Sequence, residues 1–100
     1  MKTIHLIWLQ NWYLNQCDGD WEHTFGIHIG TLDNPGWEVL IDLAETTLEN
    51  RVMNALSVDV DDENWVRCHV QDQKFFGYGG ACNLSDIIGH FRDWVLASTE

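Results

Sequence analysis

Apolar residues in this chain follow a helical period at both ends and a strand period between them. From Ile4 to Gln16, Leu6, Leu9, Tyr13 and Cys17 recur at steps of three and four, with Ile7 and Leu14 beside them, which predicts a helix. Trp8 and Trp12, four apart, project from another side, and are expected to be partly buried. Asp18-Gly19-Asp20 ends this helix, Gly19 being suited to a left-handed terminal residue. Phe25, Ile27, Ile29 and Thr31 then alternate with Gly26, His28 and Gly30, marking a strand. Trp37, Val39, Ile41 and Leu43 alternate with Glu38, Leu40 and Asp42, marking a second, across the turn Asp33-Asn34-Pro35-Gly36. A four-residue loop pairing Leu32 with Trp37 would set Ile27 against Asp42. The apolar faces match only if the loop is one residue longer or shorter, or contains a bulge.

A third strand is expected from about Val52 to Val60, with Val52, Leu56, Val58 and Val60 inward. Asp61-Asp62-Glu63-Asn64 forms the next turn. The fourth strand puts Val66, Cys68 and Val70 on one face and Trp65, Arg67 and His69 on the other. Gln71-Asp72-Gln73 turns it into a short fifth strand, Lys74 to Tyr78, and Gly77, Gly79 and Gly80 are expected to break regular structure. Asn83 caps a final helix, with Asp86 three positions on and Leu84, Ile87, Ile88, Phe91, Trp94 and Val95 as its apolar stripe. The predicted fold is α+β in one domain, residues 1–100. It has an N-terminal helix, an antiparallel β-meander of about four to five strands and a C-terminal helix, with both helices on one face of the sheet. The other face, with His28, Glu38, Leu40, Asp42, Trp65, Arg67 and His69, is then open to solvent or a partner.

Composition supports a folded core: 45% of the 100 residues are hydrophobic and six are Trp. A domain of this length hides roughly two-thirds of the surface of its unfolded chain. The net charge is -11, and eight acidic residues but no Lys or Arg lie between Asp18 and Glu49. That argues against direct nucleic-acid binding, which needs cations to displace counterions. It suits solubility and steered docking onto a basic protein. Cys17, Cys68 and Cys82 form no CxxC pair and indicate neither a disulfide framework nor a zinc ribbon. The apolar stretch Ile4 to Leu9 is too short for a signal peptide or a membrane span.

The densest chemistry lies in Cys17-Asp18-Gly19-Asp20-Trp21-Glu22-His23. Asp18 and Asp20 resemble the start of an EF-hand loop, but the later ligands of that loop are missing. His23 with Asp18 or Asp20 makes an acid–base pair without an activated nucleophile. Cys68 and His69, adjacent on a strand, point to opposite faces and cannot act as nucleophile and base. Gly77-Tyr78-Gly79-Gly80 lacks the Lys and the spacing of a phosphate loop. Trp21 between Asp20 and Glu22, and Trp65 after Asp61-Asp62-Glu63, combine an aromatic anchor with a charged rim, as binding surfaces do; both also suit the core or its edges.

Several segments together resemble the immunity protein 53 family of bacterial polymorphic toxin systems. They are Trp8-Leu9-Gln10-Asn11-Trp12-Tyr13, the Cys17–His23 run with Gly26 and Ile27, and Thr31-Leu32-Asp33-Asn34-Pro35-Gly36-Trp37. Phe76-Gly77-Tyr78-Gly79-Gly80, Asn83-Leu84, Phe91 and Trp94 extend the resemblance over nearly the whole chain. The resemblance implies a small cytoplasmic protein, encoded beside a toxin, that protects the producing cell by binding the toxin domain and blocking it. It implies a protein partner, the toxin domain, for a chain expected to be no enzyme; the residues themselves lead to no expected cofactor or metal, and to no nucleic-acid or membrane partner. A basic nuclease domain is one partner the charge fits. The expected contacts are Asp18, Asp20, Trp21, Glu22 and His23 on the first turn, Asp61, Asp62, Glu63 and Trp65 on the second, and Glu38 and Asp42 on the open face. The rival from another class is a small metal-dependent or hydrolytic enzyme using Asp18, Asp20 and His23. A third possibility is that the first turn is purely structural, with binding elsewhere.

Overall fold

A computed structural model describes residues 2–98, with side chains described from Ile4 onward. Helix α1 spans Lys2–Gln16 and a short helix α2 spans Trp21–Thr24. Strands β1 (Ile27–Leu32) and β2 (Gly36–Asp42) form a hairpin. Strands β3 (Leu56–Asp59), β4 (Trp65–Gln71) and β5 (Lys74–Gly80) form a three-stranded meander, followed by α3 (Leu84–Ser98). All pairs are antiparallel, in the order β1-β2-β5-β4-β3. The two units therefore meet where β2 pairs with β5, so β5 rather than β3 lies beside the hairpin.

The register follows from burial. Leu32 pairs with Gly36 across a three-residue loop, which sets Ile27 opposite Ile41 and Ile29 opposite Val39. The loop is the shorter of the alternatives that match apolar faces. The inner face then carries Ile27 and Ile29, Val39 and Ile41, Phe75, and Val66, Cys68 and Val70, under α3 and α1. Phe91 of α3 is its centre, 4.9 Å from Phe75, 5.2 Å from Trp12 and 5.9 Å from Trp8 between ring centroids. At the turn between β4 and β5, Asp72 and Gln73 both take positive φ, 54° and 61°, the mirror-image turn that matches strand twist.

Four expectations are corrected. Gly77, Gly79 and Gly80 do not break the chain; they continue β5. Their missing side chains make room instead, because a Cβ on Gly77 would overlap Ile87 and one on Gly80 would overlap the Glu63 carbonyl. The third strand is shorter than Val52–Val60, and Val52 and Val60 are exposed. As an edge strand, β3 has one neighbour to fix its length. The first strand starts at Ile27, because Phe25 caps α2, its N–H donating to the Trp21 carbonyl at 2.8 Å. On α1, the buried residues are Leu9 and Trp12, with Trp8 packed beside them; Leu6, Ile7 and Leu14 are exposed. The interhelical contact with Phe91 turns the Trp pair toward the core.

Candidate functional site

The predicted site residues fall into three groups, at the two ends of the sheet and on its outer face. The first group ends α1. Gly19 takes φ 97°, and the chain turns at once into α2. Asp18 Oδ1 accepts the N–H groups of Asp20 (2.9 Å) and Trp21 (3.0 Å). Glu22 reaches back to accept those of Asp18 (3.0 Å) and Gly19 (2.9 Å). The two carboxylates thus satisfy donors reciprocally, as a capping box does. The N–H groups of Trp21 and Asp20 hold the Asp18 carboxyl below its usual range. Glu22 is lowered likewise, by its own N–H and those of Asp18 and Gly19, aided by nearby His23. Trp21 is buried among Trp12, Tyr13 and Phe25, and its Nε1 donates to the Ala44 carbonyl at 2.9 Å. It anchors the loop after β2 to the core and presents no surface. Asp20 and His23 are exposed.

The second group closes β3 and β4. Asp61 Oδ1 accepts the N–H groups of Glu63 (2.8 Å) and Asn64 (2.9 Å), and these, first Glu63 and then the Asn64 side chain, lower its pKa. Asn83, buried at the start of α3, takes the Trp65 N–H at 3.4 Å and donates to Asp86 at 2.8 Å. Asp61 therefore shapes the turn, while Asp62 and Glu63 stand exposed on it. The two groups lie apart in the sheet: the first leads into the edge strand β1, and the second joins β3 to β4 at the other edge.

Between them is the outer face. Register places Leu40, Phe76 and His69 in one cross-strand row and Glu38, Tyr78 and Arg67 in the next. His69 stacks on Phe76 at 4.8 Å and 7°. Arg67 lies 5.1 Å from the centroid of the Trp65 ring while its Nη2 reaches Asp59 at 2.9 Å. Asp42 contacts Lys74 at 3.5 Å and accepts the Gly26 N–H at 2.9 Å; Glu38 lies 3.7 Å from His28. Charges on this face are largely matched within it, and its aromatic rings are half-buried by their neighbours alone. Phe76 and Tyr78 were not among the predicted contacts. Their signal was present: aromatic residues alternate with Gly77 and Gly79, so all the bulk falls on one side.

Among the described residues, no three His, Cys, Asp or Glu are gathered in a metal-binding group. Cys68 and His69 do point to opposite faces, and burial pushes the Cys68 thiol up to about 12. No helix among the described residues is long and apolar enough to cross a membrane. The family described as Immunity protein 53 matches residues 6–96. No curated protein and no solved structure matches the chain.

Proposed function

We propose a function from the premise that the chain belongs to the immunity protein 53 family: it binds a toxin protein and holds it inactive. Inhibition is stoichiometric, by occupation of the toxin rather than by catalysis, and the site of action is the cytoplasm of the producing cell. The observation that carries this is the outer face, where Trp65, Tyr78, Phe76 and Leu40 line a surface that no helix covers among the described residues. Half-buried aromatics of this kind lose their remaining water only against a partner, and such residues dominate binding energy.

The acidic groups divide the work. Asp18, Glu22 and Asp61 hold turns, whereas Asp20, Asp62 and Glu63 are free to attract a cation. A net charge of -11 favours a basic toxin domain, such as a nuclease, by speeding encounter. The test is titration of the toxin encoded beside this chain. Its activity should fall linearly to zero at one equivalent, with a 1:1 complex by calorimetry. Residual activity at saturation, or loss of toxin activity at far less than one equivalent, contradicts stoichiometric inhibition.

A further inference from the structure

The two edges of the sheet are unlike. β3 is four residues long, ends in Asp59 and runs into the acidic turn, which are ordinary protections against edge pairing. β1 is six residues long and carries no charged residue. The N–H and C=O of Gly26 both engage Asp42, on the β2 side. By alternation, those of Ile27, Ile29 and Thr31 point out from the open edge. Beside that edge runs a groove of about 370 Å³ between α1 and β1, lined by Leu6, Leu9, Tyr13, Ile27 and Ile29 among others. Leu6 is 47% exposed and Ile7 52% exposed on the same helix.

We propose that a second copy of this chain occupies this edge, with β1 pairing antiparallel to β1 of its partner about a two-fold axis at Ile29. Charge selects the occupant. The chain carries -11, so two copies repel wherever carboxylates meet. Residues 3–17 and 23–32, which hold all of α1 except Lys2 and all of β1, contain no Asp, Glu, Lys or Arg. Geometry makes the same selection. The surface has two parts, an open strand edge and an apolar helix flank on the inner side of the sheet. A two-fold axis normal to the sheet brings edge to edge and flank to flank at once, as an isologous interface requires. A lone added strand would cover the edge and leave the flank wet. The resulting ten-stranded sheet keeps both outer faces on one side, free for other partners.

Sedimentation equilibrium of the whole chain over a concentration series tests this. The mass should rise from 11.6 kDa to twice that value, with amide exchange at Ile27, Ile29 and Thr31 slowing as it does. Thr31→Pro removes an outward donor without touching the β1–β2 ladder, and Leu6→Glu charges the exposed flank without touching the sheet. Each should weaken association at least tenfold, and Leu6→Glu keeps the test valid if the proline variant does not fold. A constant monomer mass overturns the proposal. So does doubling without slowed exchange at those amides, or unaltered association in Leu6→Glu. Slowed exchange only when a toxin is added would instead make the edge a toxin site.

Discussion

Phe75 and Phe76 are neighbours on β5 and stand in opposite environments. Phe75 is fully buried, packed on Phe91 under α3. Phe76 is half-buried on the outer face, stacked on His69 and paired across the strands with Leu40 on its other side. The same division runs through Gly77 and Tyr78: glycine inside, where Ile87 presses on the strand, and an aromatic ring outside. At β5 the inner face is filled by the fold itself. The outer face carries comparable aromatic bulk with nothing described above it. That difference separates residues kept for stability from residues available for binding.

The comparison breaks most visibly at Phe75. Phe75→Ala should cost about 4 kcal/mol of stability, and Phe76→Ala about 1 kcal/mol, by urea denaturation. Equal losses would mean that the outer face is as much a core as the inner. Gly77→Val comes next, at about 2–3 kcal/mol, because the new side chain must displace Ile87.

These contrasts were partly legible beforehand. Alternation in Val66–Val70 and Val39–Leu43 separated the two faces, and the helical stripe of α3 named Ile87, Ile88 and Phe91 as core. The glycines of β5 were misleading, since glycine usually marks a break; only the position of Ile87 shows why a strand needs them. Trp21 was ambiguous for a different reason. It sits among carboxylates in sequence, yet α2 turns it inward while Asp18 and Glu22 face their own backbone. Strand order, too, lies beyond local pattern, because pairing of β2 with β5 depends on residues 43–55 carrying the chain to the far edge.

A smaller effect separates the acidic groups. Asp62→Lys with Glu63→Lys should lower the toxin association rate about tenfold and flatten its salt dependence. It should leave the dissociation rate and the stability near wild type. An unchanged association rate would show that this turn steers nothing.

The smallest effect is in acid. Asp18, Glu22 and Asp61 have pKa values lowered by folding. Their stabilisation is present at neutral pH, above the unfolded carboxylate values, and is lost as pH falls through the lower folded values. Asp18→Asn should therefore make the acid limb of a stability–pH curve, followed by urea denaturation, less steep.

The most direct test of the outer face is the affinity for the toxin of Phe76→Ala and Tyr78→Ala, measured by calorimetry beside their urea midpoints. Binding at this face predicts at least a tenfold loss of affinity in each, about 1.4 kcal/mol or more, while the protein remains folded. Affinity equal to wild type in both variants would contradict it and place the toxin elsewhere on the molecule.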